Sequence, residues 1–298
     1  MSPRDWWNLI RGVPSEAGRP LPNGRLPPQM DAEYAMGGFS PSHKAQPLLE
    51  NGLVGARWDL APFSVETYVG DGEPRIEPYH RRRFITWQPV CRTDVPRGWW
   101  RFPLPLNARQ HGVTILPSSS SSSPSSSEYW KRWSSHAQRH RRRFLKNETL
   151  EIVEPTMEEY AAAYHATGKL PFMRNDFVRI LKRRRANHGE RLRLIGAREK
   201  ATGRLLAGLA VLDLPNSKQS VHVAAFFHRD ASRTGASYGL IDEWFRRSIA
   251  QNLHALHFGL VWYPGDPGSW KGYSAFKRQF DLTCVVYPNA LVKIVRRG

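Results

Sequence analysis

Two segments toward the C-terminal end hold the residue types that chemistry requires. In the first, the apolar run Val221–Phe227 breaks at His228-Arg-Asp-Ala-Ser-Arg-Thr-Gly235. It resumes from Ala236 to Gln251 with Ile241, Trp244, Phe245 and Ile249 at three- and four-residue spacing, the pattern of an amphipathic helix. A buried strand entering such a helix through a Gly-containing turn leaves first-turn N–H groups without helical partners, and these attract anions. A Ser and Gly turn serves equally as an ordinary helix cap, so both readings stand. The second segment is Trp270–Phe280, WKGYSAFKRQF. At helical spacing Tyr273, Phe276 and Phe280 share one side, while Lys271, Lys277 and Arg278 lie on or near its rim. Tyr273, and Tyr263 in the preceding loop, are candidate proton donors, because a phenol near its reference pKa of about 10 keeps its proton at neutral pH. Each is also an ordinary core or rim tyrosine. Asp213 and Asp266 are candidate bases and otherwise turn residues.

The elements that must position these groups follow from patterning. Leu192–Glu199 and Leu205–Leu214 flank Lys200-Ala-Thr-Gly203 as a β-hairpin, and Val221–Phe227 extends it to a three-strand meander. Before the hairpin, a basic helix is predicted over Tyr129–Leu145, which carries eight Lys, Arg or His residues. A strand from Glu151 stops at Pro155. Thr156 then caps a helix running to about Ala166, with Glu158 and Glu159 in its first turn. Asn175–Asn187 is a further helix, with Phe177, Ile180 and Leu181 inward and Lys182–Arg185 outward. After Gln251 come a strand at Leu256–Trp262, the loop Tyr263–Ser269, the WKGYSAFKRQF helix and two closing strands, Thr283–Tyr287 and Ala290–Val295. This order predicts an α+β fold, a mixed and mostly antiparallel sheet flanked by helices.

Phe258-Gly259 on a strand, Phe276-Lys277-Arg278 on a helix and the closing strands resemble the second half of the FemAB-like, or BioF2-like, branch of the GNAT acyltransferases. Tyr129–Arg143 resembles the basic helix that precedes the C-terminal GNAT unit in that branch. The resemblance covers residues 129–295, and Asp281 stands where Gly often follows the last Phe. It implies a GNAT-like acyltransferase fold and transfer of an acyl or aminoacyl group from a thioester or tRNA carrier to an amine acceptor. By the same scheme the donor lies along Val221–Phe227, with its pyrophosphate in the turn Ser232, Arg233, Thr234, Gly235, Ala236 and Ser237, and Phe276 beside it. In the usual acetyl-CoA signature (Gln or Arg, two residues, Gly, one residue, Gly or Ala) the fixed places here are Ser232, Gly235 and Ser237. Only Gly235 matches. Members of the branch commonly lack that signature, and some use aminoacyl-tRNA, so the resemblance leaves acyl-CoA and aminoacyl-tRNA as donors. Lys277 matches the family's FK lysine, a cation placed to support the transferred carbonyl or the donor's anionic part. Amide formation also needs a neutral amine and a proton for the leaving group, the task assigned to Tyr273 and Tyr263.

Composition sets the outer bounds. The 298 residues suffice for one large or two ordinary domains. Residues 1–50 read as an extended Pro/Gly-rich arm, and 51–116 as a β-rich region with room for a degenerate first GNAT unit. Residues 117–128 read as a Ser-rich linker, and 129–298 as the C-terminal GNAT-like domain. The formal charge of +18 attracts polyanions. With eleven tryptophans and the runs Arg81–Arg83, Arg141–Arg143 and Arg183–Arg185, it supports a competing reading as a non-catalytic nucleic-acid binder. Two cysteines and histidines without ligand spacing predict neither a disulfide framework nor a metal site. No Gly-x-Ser-x-Gly elbow or Walker loop is present. Without a signal-peptide pattern or an apolar run long enough to span a bilayer, the cytoplasm is the expected location.

Overall fold

The computed structural model describes Tyr34 and residues 46–50, 52–91, 93–101, 110–117, 128–167, 171–264, 266 and 268–296. The arm predicted over 1–50 lies outside these up to residue 45, Tyr34 excepted, as does residue 118–127 of the Ser-rich stretch. Contacts divide the chain into two units that interleave in sequence. One comprises Met1–Gly112, Leu260–Phe276 and Cys284–Gly298, the other Val113–Gly259 and Lys277–Thr283.

The first unit is built on a six-stranded sheet. Its strands are β1 (Gln46–Glu50), β2 (Leu53–Leu60), β3 (Phe63–Gly70), β4 (Arg82–Gln88), β5 (Trp100–Arg101) and, from the far end of the chain, β13 (Leu291–Val295). The spatial order is β1-β2-β3-β4-β13-β5. β1, β2 and β3 pair antiparallel, β3 and β4 are parallel over their whole length, and β13 is antiparallel to both β4 and β5. The closing strand assigned from sequence to the C-terminal domain thus sits inside this sheet. Strict alternation of burial along β3 and β4 turns Tyr68, Ile85 and Trp87 inward, where they pack with Leu53, Trp99 and Leu291. Glu66 is also fully buried, and it is paired with Arg57 at 2.8 Å and Arg83 at 3.3 Å.

The second sheet adds β6 (Gln110–Ile115), β7 (Leu150–Val153), β8 (Leu192–Glu199), β9 (Leu205–Leu214), β10 (Gln219–Phe227), β11 (Ala255–Leu260) and β12 (Thr283–Val286). Their order is β12-β6-β11-β10-β9-β8-β7. The predicted meander forms as β8, β9 and β10, antiparallel throughout. All ten residues of β9 are buried, so both faces of the sheet are covered there. The covering helices include α2 (Met157–His165), α3 (Pro171–His188) and α4 (Ala236–Ala250). Thr156 and Glu159 start α2 with a reciprocal capping box.

The helix predicted over Tyr129–Leu145 is two elements. A 3-10 turn at Tyr129–Arg132 ends at an extended Trp133, and Ser134 then caps α1 (Ser135–Leu145) by accepting from Ala137 N–H at 3.2 Å. Burial of Trp133 is the cause of the break. Its ring meets Phe245 and Phe280 edge-on, with centroids 5.1 and 5.0 Å away, and a continuous helix would carry it elsewhere.

Candidate active site

The site is built where two strands part. β10 and β11 are parallel but pair only through Gln219–Val221 and Ala255–His257, although β10 continues to Phe227 and β11 to Leu260. On its other side β10 stays with β9, and the register shifts between His222 and Ala224. Val223 is the extra residue of this bulge, with no register partner on β9 or on β11. The hydroxyl of the fully buried Tyr160 donates to Ala224 O at 3.1 Å and ties the bulge to α2. By helical spacing Tyr160 shares one side of its helix with Ala163 and Tyr164, and nothing in the sequence singles it out.

Lys277 stands at the last position of α5 (Trp270–Lys277). Its Nζ donates to the carbonyl oxygen of Phe258 at 2.6 Å. Phe258 is the first residue of β11 beyond its pairing with β10, and Gly259 follows at φ +70°, a left-handed turn of the chain that glycine takes without a steric penalty. The lysine side chain keeps some exposure as a whole, yet its amine is surrounded closely enough that burial brings its pKa down to about 7. A lysine so placed exchanges a proton at neutral pH, which an ordinary surface lysine does not. Phe280, three residues on, is fully buried and stacks on Phe258.

The turn before α4 closes largely on itself. Ser232 and Arg233 lie in a 3-10 turn over Arg229–Arg233, with Arg233 exposed. Thr234 Oγ1 donates to Ala231 O at 2.8 Å and accepts from Ala236 N–H at 3.2 Å. The N–H groups of Tyr238 and Gly239 turn back to Gly235 O. Gly235 caps the helix at φ +79°, and a Cβ there would fall 2.8 Å from His140 O, so α1 lies directly against this turn. Ser237, next in α4, is half-buried.

Of the other predicted residues, Tyr263 and Tyr273 belong with the first unit. Tyr263 N–H donates to Asp266 Oδ2 at 2.9 Å, and Asp266 N–H donates back to Tyr263 O at 2.9 Å, so Asp266 closes its loop. Tyr273 sits beside Trp270, and burial together with the Asp266 charge raises its phenol to about 12. Phe276 is half-buried on α5. Asp213 is buried in a network: Arg193 Nη2 donates to it at 2.8 Å with Nε in ion-pair contact at 2.6 Å, Ser220 Oγ donates to it at 2.6 Å, and Trp244 Nε1 donates to Ser220 Oγ at 2.8 Å. Bound this way, Asp213 fastens β8, β9, β10 and α4 to one another. Among the described residues no three His, Cys, Asp or Glu side chains are grouped to hold a metal, and no helix is long and apolar enough to cross a membrane.

No protein-family model matches the chain, and no curated protein matches it in sequence. Solved structures do match in fold. FemX aligns over 99% of this chain and 96% of its own at 10% identity, with a TM-score of 0.64. A conserved protein of unknown function from Bacteroides thetaiotaomicron aligns over 98% and 97% at 10% identity, TM-score 0.56. The lysylphosphatidylglycerol synthetase L-PGS from Bacillus licheniformis aligns over 100% and 92% at 10% identity, TM-score 0.51. The chain shares the fold of FemX and L-PGS, a mixed α+β architecture of two sheets with flanking helices.

Proposed function

We propose that this protein is an N-acyltransferase that moves an acyl or aminoacyl group from a thioester or tRNA carrier to an amine. One observation carries the reading: an amine whose pKa is brought to about 7 stands at the carbonyl of Phe258, where β10 and β11 separate. The donor would enter between the strands, its carbonyl near the Val223 bulge, beyond the point where β10 leaves β11. The acceptor nitrogen forms the new C–N bond as the C–S or C–O bond to the carrier breaks. The amine loses one proton and the leaving group gains one. Neutral Lys277 takes up the first, and its ammonium form then supports the charge on the departing atom. Tyr273 and Tyr263 remain candidates for the proton to the leaving group, Asp266 serving to shape their loop. In this reading the turn from Ser232 to Ser237 faces the donor, and the protein works in the cytoplasm.

The polyanion-binder reading gains little support from the arginine runs. Arg83 is buried on Glu66, Arg141 pairs with Asp242 at 2.5 Å, Arg184 is buried, and Arg185 pairs with Glu190 at 2.5 Å. Each run spends part of its charge on the fold. The test is turnover by mass spectrometry with acyl-CoAs and aminoacyl-tRNAs against a panel of amines, with kcat/KM followed over pH. Product that forms with a rising limb near pH 7, absent in Lys277→Ala, supports the proposal. No product with any donor, or a profile that Lys277→Ala leaves intact, overturns it.

A further inference from the structure

One face of α1 collects positive charge that the fold does not neutralise. His136, Arg139, His140 and Arg143 recur at three- and four-residue spacing and so lie on one side of the helix. The two imidazoles are 4.4 Å apart between centroids, and Arg139 approaches His136 Nδ1 at 3.2 Å. From α4, Tyr238 stacks on His140 at 4.8 Å with planes 16° apart, and its hydroxyl donates to the neutral Gln279 at 3.2 Å. Among the described residues no carboxylate pairs with any of these four side chains. The nearby acids are engaged elsewhere: Asp242 with Arg141 and Tyr129, Asp281 with Arg132, Asp230 with Arg204. Four basic groups on one face, next to the N-terminal turn of α4, make a receptor for negative charge.

We propose that His136, Arg139, His140 and Arg143, backed by Tyr238, form a binding site for the phosphate groups of a nucleotide. The site lies outside Lys277 and the Ser232–Ser237 turn, on the helix that precedes the GNAT unit. It deepens the acyl-transfer reading and rests on it only for the nucleotide's identity, the carrier end of the donor. Burial, then His136, Arg139 and Arg143, lower the pKa of His140 and so favour its neutral ring in the free protein. A bound dianion reverses that balance. Binding therefore takes up a proton and tightens as the pH falls, by up to about tenfold per pH unit for each proton.

The test is binding, not turnover, so its failure and the failure of acyl transfer are separable. Adenosine 3′,5′-bisphosphate, sulfate and a short single-stranded RNA are titrated at pH 6 and pH 8 while the His136 and His140 ring signals are followed by NMR. Sulfate does not titrate in this range, so any pH dependence with it belongs to the protein. The expected result is that the bisphosphate and sulfate shift both ring signals, with affinity at least fivefold tighter at pH 6. Arg143→Ala, at an exposed position, weakens both about tenfold without changing the melting temperature, and His136→Gln with His140→Gln removes the pH dependence. Equal affinity at the two pH values, ring signals that do not move, or a response to RNA alone would each overturn the proposal.

Discussion

Phe258 and Phe280 lie face to face, their ring centroids 5.8 Å apart and their planes 12° from parallel. Phe258 supplies the carbonyl that accepts from Lys277, and Phe280 ends the 3-10 turn that follows the lysine. The stacked pair thus fixes both partners of the hydrogen bond on which the candidate site turns. Phe280 also meets Trp133 and Tyr238, so it joins the site to α4 and to the segment leading into α1.

Removing Phe280 should therefore affect both stability and chemistry. Phe280→Ala is expected to cost about 3–5 kcal/mol, as for a fully enclosed aromatic side chain. Burial is what depresses the Lys277 pKa, so the variant should also let it climb back toward 10.5. Urea unfolding gives the first quantity, and NMR of isotope-labelled lysine side chains gives the second. An unchanged lysine pKa in the variant would show that other walls enclose the amine.

Lys277 gives folding stability its own pH dependence. The amine has an ordinary pKa of 10.5 when unfolded and about 7 when folded, so between these values the unfolded chain holds the extra proton. Stability rises with pH across that window, by up to about 1.4 kcal/mol per unit, and the penalty is complete below pH 7. Lys277→Met lacks this slope. Chemical denaturation of both proteins from pH 6.5 to 10 should show the parent gaining on the variant, and parallel curves would contradict the burial of the amine.

The Asp213 network should behave as a unit. Asp213→Ala leaves Arg193 without its anion beside the buried Ser220 and Ser248, an expected loss of about 3–5 kcal/mol. Arg193→Met combined with Asp213→Leu should recover most of it, since neither then buries a lone charge. A double-mutant cycle by urea unfolding measures the coupling, and strict additivity would dissolve the network.

Close approach of α1 to α4 depends on Gly239. A Cβ at that position would fall 2.4 Å from the Phe144 ring, so Gly239→Ala must push the two helices apart. The expected cost is about 1–3 kcal/mol, read from the shift of the urea midpoint. Phe144→Leu in the same chain should return part of it by giving the methyl group room.

Much of this arrangement is legible in the chain because its causes are local. The hairpin of β8 and β9 is marked by the Gly203 turn, α2 by the Thr156 cap and its first-turn acids, and Lys277 by the Phe-Lys-Arg segment that carries the family resemblance. The bulge at Val223 is not legible, because an extra residue exists only relative to the register of β9. The early separation of β10 from β11 is hidden for the same reason. Trp133 reads as helical by its neighbours and is drawn into extended geometry by Phe245 and Phe280, which are distant in sequence. Asp213 resembles a free base until Arg193 and Ser220 are seen around it. The His136 and His140 spacing is visible, but its meaning depends on Tyr238 and on the absence of a paired acid among the described residues.

The placement of β13 bears on how the protein is made. The side chain of Gln88 reaches the carbonyl of Pro288 across 200 residues of sequence, and β13 then lies between β4 and β5. During synthesis the first sheet must wait, with the inner edges of β4 and β5 bare, until almost all of the described chain has left the ribosome. Such a late, long-range closure is slow, and open strand edges recruit other chains in the meantime. Yield in a cell should thus depend on chaperones that shield those edges, and a fragment ending before Leu291 should aggregate even though its own strands are intact.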